Sequence, residues 1–267
     1  MVTPVRPAPA TTPSGLTPGQ RPEFAMACAE AVSGFGEVVD LVLVADEVTA
    51  RSGPDPRVAT LNRLVALRAV VAWERFVREV GALSGSGPSI EDDAGRLACL
   101  GPDGGDDGAA RRVLAAASGG RLPQALSIRF PAPETNASLT FATVTGASGD
   151  LAAAVDWWVR TRHGVAHRGL GRNVAWPVRT VAHDSDGRSV DPTTARFALT
   201  MFLQLVDQSI RVIAQEAGMV REEDLWLPAR WLRGEGSRTP DRQDHGAGPR
   251  LWAGETIEYT VTRTDLA

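Results

Sequence analysis

Residues Asp150 to Leu170 read DLAAAVDWWVRTRHGVAHRGL. On a helix, Leu151, Val155, Trp158, Arg162 and Val165 fall at i, i+4, i+7, i+11 and i+14, one apolar stripe with an arginine set into it. Burying an unpaired guanidinium in such a stripe costs on the order of several kcal/mol, so Arg162 is expected to be paired or to stand at the mouth of a solvated cleft. Together with Arg172 just beyond, the stretch holds two of the four histidines, His163 and His167, the arginines Arg160, Arg162, Arg168 and Arg172, and two tryptophans. No other segment concentrates ionisable chemistry in this way. Of the two tryptophans, Trp158 is expected in the core and Trp157 at an interface.

Upstream, Phe24, Cys28, Ala31, Phe35, Val38, Val42 and Ala45 keep helical spacing from Pro22, with Gly34 and Gly36 as weak points and Ser52-Gly53-Pro54 as the stop. Asp55-Pro56 is a cap followed by proline at the first helical position. The stripe Val58, Leu61, Val65, Ala69, Ala72, Phe76, Val80 and Leu83 then runs for about eight turns until Ser84-Gly85. Downstream, Asp191-Pro192 repeats the capping signal, and Leu199, Phe202, Val206, Ile210, Ile213 and Ala217 form a stripe ended by Gly218. Four amphipathic helices with one apolar face each need one another, which predicts an all-α, up-and-down four-helix bundle.

The rest is organised around that bundle. Residues 1–21, with Pro4, Pro7, Pro9, Pro13 and Pro18 among small residues, read as a disordered tail. The helical domain spans 22–218 and is interrupted over 89–149 by an acidic, glycine-rich insertion. That insertion carries short helices around Leu97 and Val113 and strand-like stretches at Leu126 to Phe130 and Ser138 to Val144. A strand is expected near Val174 to Val181, before a surface turn at Asp184 to Gly187. Residues 219–267 read as an extension with a short helix at Glu222 to Trp231, a linker at Ser237 to Gly248 and one exposed strand at Glu255 to Thr262.

Composition excludes several chemistries. All 28 basic residues are arginine, so a Walker-type phosphate loop, a Schiff-base lysine and a Ser-Lys dyad are ruled out together. The net charge of −4 predicts no polyanionic partner by itself, and any nucleic-acid contact must come from local clustering such as the four arginines above. Two cysteines, Cys28 and Cys99, without a CxxC pattern fit a reducing compartment better than a structural zinc site. With no apolar run long enough to span a membrane and no leader-like N-terminus, a cytoplasmic protein without a membrane partner is expected.

Arginine and histidine with four to six residues between them occur three times, at Arg162/His167, Arg160/His167 and Arg238/His245. The last lies in the linker-like stretch, so context has to carry the motif. That context, Arg162-His163-Gly164-Val165-Ala166-His167-Arg168-Gly169, resembles the HEPN family of helical bundles, in particular its ribonuclease-toxin-like branch (RiboL-PSP-HEPN). Leu67 to Phe76, LRAVVAWERF, is similar to the long helix of that branch, with an aliphatic run into Glu-Arg-aromatic.

The resemblance implies a metal-independent endoribonuclease without a cofactor, working as a homodimer on RNA, with a cognate antitoxin as a further partner. It implies Arg162 and His167 as the catalytic pair and His163 as the polar residue after the arginine; for Glu74 two readings stand side by side, an acid that pairs with an active-site arginine, as acids on the second helix do in such bundles, and an exposed glutamate. The residue types suit that chemistry. Attack by an RNA 2′-hydroxyl needs a proton carrier near neutral pH, which histidine supplies, and the phosphorane formed needs a permanent, forked cation. Arg160, Arg168 and Arg172 would hold flanking phosphates. Gly169 stands where nucleotidylated toxins of the family carry a tyrosine, which argues against regulation by that route.

On a straight helix, positions 162 and 167 lie about 140° apart around the axis. Either the helix breaks at Gly164 and Gly169, or the two residues meet across a dimer axis. The competing readings are a non-catalytic module that binds RNA or a partner protein, and a metal-dependent hydrolase built on the i, i+4 pair His163 and His167 with His183, Asp184 or Asp186.

Overall fold

The computed structural model describes residues 15–52, 56–85, 99–101, 108–122, 126–132, 140–145, 150–168, 192–219, 225, 250–253 and 257–260. Most of them are helical. In chain order the elements are α1 (Arg21–Ser52), α2 (Pro56–Ser84), α3 (Ala109–Ala117), β1 (Ser127–Ala132), β2 (Thr140–Thr145), α4 (Asp150–Arg168), α5 (Pro192–Glu216), β3 (Arg250–Ala253) and β4 (Ile257–Thr260). The four expected helices are α1, α2, α4 and α5. Pro56 and Pro192 open α2 and α5, where a missing N–H costs nothing because the first turn has no acceptor for it.

Helix α2 is the central element and touches α1, α3, α4 and α5. Its inward stripe Val65, Ala69, Trp73, Phe76 and Val80 is buried against Phe24, Cys28, Phe35 and Val42 of α1 and Leu199, Phe202 and Val206 of α5. Trp73 anchors this layer, with its ring 6.2 Å from Phe76 and 6.3 Å from Phe202. Each such large side chain contributes about 1.5–3 kcal/mol on burial. Helix α1 runs through Gly34 without a break, and a methyl group there would meet Ala72 of α2 at 3.5 Å, an ordinary van der Waals distance. Helix α5 ends as expected at Gly218. Its φ of 64° lets Met219 N–H reach Ala214 O and Gly218 N–H reach Gln215 O, so the last carbonyls are satisfied.

Three stretches read as peripheral in the sequence pack into the same core. Leu16 is buried, and Gln20 donates to the Leu83 carbonyl, so residues 15–20 close the α1/α2 end rather than belong to a free tail. Within 89–149, Leu100, Val113, Leu114, Leu122, Leu126 and Ile128 are buried core residues, and this part of the span is a structural layer rather than an irregular insertion. Helix α3 is the short helix expected around Val113; that expected around Leu97 falls outside the described residues. Met219 and Leu225 are likewise buried after the end of α5, and Leu225 lies outside any helix.

The strand-like stretches form an antiparallel hairpin, with Ser127 opposite Thr145 and Ala132 opposite Thr140. It is held to α5 by Gln208, whose carboxamide accepts from the Ser127 N–H at 2.8 Å and donates to the Ser127 carbonyl. The C-terminal strand is not single: β4 pairs with β3, Arg250 opposite Thr260, and β3 lies beside β1 and α5. The two hairpins thus add to the helical bundle. The strand expected at Val174 to Val181, the turn at Asp184 to Gly187 and the linker at Ser237 to Gly248 lie outside the described residues. Among those described, no helix is long and apolar enough to cross a membrane.

Candidate functional site

Helix α4 is buried along its first half and emerges from the core at Arg162. Leu151, Val155, Trp158 and Val159 are all at most 1% exposed, and Arg162 comes next on the same stripe. Its partner is Glu74, with Arg162 Nη2 3.2 Å from Glu74 Oε2; the two side chains are 28% and 7% exposed. The stripe position predicted a paired or cleft-lining arginine, and Arg162 is paired yet still reaches water.

Glu74 lies on α2 among the fully buried Val70, Trp73 and Val77. Burial pushes its carboxyl above the ordinary 4.5, and Arg162 and then Arg78, one turn along α2, pull it back. Desolvation wins. The guanidinium beside it favours the ionised form of the carboxylate, and the carboxylate holds that guanidinium in return.

Trp158 is in the core, 1% exposed, as expected. Trp157 is half-buried and meets it edge-on, with ring centroids 4.7 Å apart at 86°. Helix α4 continues unbroken through Gly164 to Arg168, which removes a break at Gly164 as a way of bringing positions 162 and 167 together. Of Arg160, His163, His167 and Arg168 the helical backbone positions are described, and Arg172 lies outside the described residues. By helical spacing, positions 160, 163 and 167 cluster with 156 within about 60° around the axis, about 100° to 160° away from position 162.

Asp156 was not singled out by its sequence context. It is 7% exposed, and its Oδ1 accepts the Leu100 N–H at 2.8 Å while Oδ2 accepts the Gly101 N–H at 3.0 Å. This carboxylate ties the 99–101 segment to α4 and fixes the rotation of the helix that presents Arg162. An acid in the otherwise apolar first half of α4 was the available signal, but the N–H groups it accepts from lie 55 and 56 residues away.

Both thiols, Cys28 and Cys99, are free and buried, and burial pushes that of Cys28 up, so it is no nucleophile. Among the described residues no group of three His, Cys, Asp or Glu side chains is placed to hold a metal ion. His183, Asp184 and Asp186, the third-ligand candidates, lie outside the described residues. The chain matches no family model, no curated protein and no solved structure.

Proposed function

We propose that the chain is a HEPN-like helical domain acting in the cytoplasm as a metal-independent endoribonuclease of the toxin or defence type, with a cognate antitoxin as its natural partner. Arg162 holds the scissile phosphate and the charge that builds on it, His167 moves the proton of the attacking 2′-hydroxyl, and His163 orients the phosphate. Arg160, Arg168 and Arg172 hold the flanking phosphates. The observation that carries this reading is the Glu74–Arg162 pair: a buried carboxylate fixes a guanidinium that still reaches water beside the His163/His167 segment. Because α4 is unbroken between positions 162 and 167, the reaction needs two copies, with Arg162 of one facing His167 of the other.

A second reading, a non-catalytic module that binds RNA or a protein partner, is supported by the same pair. Glu74 already offsets part of the Arg162 charge, and within one copy positions 162 and 167 diverge.

The two readings separate when purified protein is incubated in EDTA with end-labelled RNA, beside Arg162→Ala and His167→Ala, and fragment ends are read for 2′,3′-cyclic phosphate. Cyclic ends from the wild type alone establish the ribonuclease. Equal cleavage, or none, from all three folded and dimeric proteins discards it and leaves the binding module.

A further inference from the structure

The Glu74–Arg162 pair is unequal in its access to water. The carboxylate is 7% exposed and held on a helix whose neighbouring side chains Val70, Trp73 and Val77 are fully buried, whereas the guanidinium is 28% exposed. An anion arriving from solvent can therefore reach the cation but cannot push the buried carboxylate out into water. Two anions would then face one guanidinium in a poorly screened place, and their repulsion is relieved if the buried one becomes neutral.

We infer that a phosphodiester binding at Arg162 drives Glu74 to take up one proton from solvent, so that anion capture and Glu74 protonation are two faces of one equilibrium. The inference rests on the RNA-directed reading above and adds to it how the site handles charge. Arg162 turns from an internal partner into a phosphate ligand, and the carboxylate it leaves becomes a neutral carboxyl. Among the described residues, the charged groups acting on Glu74 are Arg162 from α4 and Arg78 from its own helix. Burial already favours the neutral form of Glu74, so the proton is taken up readily once Arg162 is engaged elsewhere. Linkage is reciprocal. Whatever factor the phosphodiester adds to the proton affinity of Glu74, acidification adds to the phosphodiester affinity.

The test uses a short, mixed-sequence 2′-O-methyl RNA, which binds but lacks the attacking hydroxyl, titrated onto wild type, Glu74→Gln, Arg162→Ala and the double variant between about pH 5 and 8. The wild type is expected to gain affinity on acidification by up to about tenfold per pH unit, the limit for one proton. Glu74→Gln should bind more tightly than the wild type at neutral pH, converge with it in acid and lack that part of the pH slope; any slope the two proteins share has another source. Binding that needs Arg162 but has the same strength and slope in wild type and Glu74→Gln overturns this inference alone. Binding indifferent to Arg162, or none by any folded variant at any pH, overturns it together with the RNA-directed reading.

Discussion

Arg162 is held 3.2 Å from Glu74, a carboxylate four times less exposed than the guanidinium it pairs with, at 7% against 28%. Removing the cation leaves the buried carboxylate either ionised without its partner or neutral at the cost of taking up a proton, and removing both charges leaves a polar but neutral site. Arg162→Ala should therefore destabilise the fold by about 3 kcal/mol, the low end for a broken buried pair because the arginine is partly open to water. Glu74→Gln in the same background should restore most of that loss. Denaturant unfolding of the four proteins of this cycle measures the coupling, and additive single effects would show that the two residues do not depend on each other.

The direction of the Glu74 shift fixes a pH dependence. Its folded-state value lies above the ordinary 4.5, so the native state binds the proton more tightly than the unfolded chain. Stability then rises as pH falls through the folded value towards the unfolded one, and the term is lost as pH rises above it. Thermal midpoints of wild type and Glu74→Gln measured from neutrality down to about pH 4.5 should therefore move in the wild type's favour on acidification. In Arg162→Ala the onset should shift to higher pH, because the lowering pull of the guanidinium is gone. A parallel course for wild type and Glu74→Gln would mean that Glu74 does not titrate in this window.

Two glycines join the 99–101 segment to its neighbours at distances that leave no room for a methyl group. A Cβ at Gly101 would stand 2.4 Å from Asp156 Oδ2, and one at Gly108 would stand 2.4 Å and 2.5 Å from the carbonyl oxygens of Cys99 and Gly101. The first clash is with the end of a side chain, which can swing at the expense of its amide bonds; the second is with backbone that cannot. Both alanine variants should destabilise, by about 1–3 kcal/mol, with Gly108→Ala the more costly. Midpoints of urea unfolding order them, and a milder Gly108→Ala would show that the segment yields easily.

The helices were legible because their signals are local. Asp55-Pro56 and Asp191-Pro192 mark the starts of α2 and α5, Gly218 with its positive φ marks the end of α5, and the stripes from Val65 to Val80 and from Leu199 to Ala217 are buried faces. The arginine in the α4 stripe announced a partner, and Glu74 is that partner. The short helix at Val113 and the two strands were legible as elements, but that Leu100, Leu122 and Ile128 join the core was not, since the polar partners that place them, Asp156 and Gln208, lie 55 to 81 residues away. The same holds for β3, four residues long and defined only by its pairing with β4. Asp156 was not legible either, because its task of tying α4 to the 99–101 segment leaves no mark in a short motif.

Gln208 replaces a strand neighbour for Ser127, offering one acceptor and one donor to the same peptide unit and so pinning the start of β1 to α5. Gln208→Ala leaves that N–H and C=O half-buried without these partners, at a cost of about 1–3 kcal/mol. Gln208→Glu keeps the acceptor for the N–H and loses the donor to the carbonyl, so its effect should be smaller but of the same kind. Amide hydrogen exchange locates the damage. Residues of β1 and β2 should exchange faster while Val65 to Val80 of α2 stay protected, because the α1–α2–α5 contacts do not pass through the hairpin. Equal acceleration in α2 would mean that the hairpin unfolds only with the whole bundle. In that case Ile128, fully packed in the core, rather than the Gln208 clamp, sets its stability.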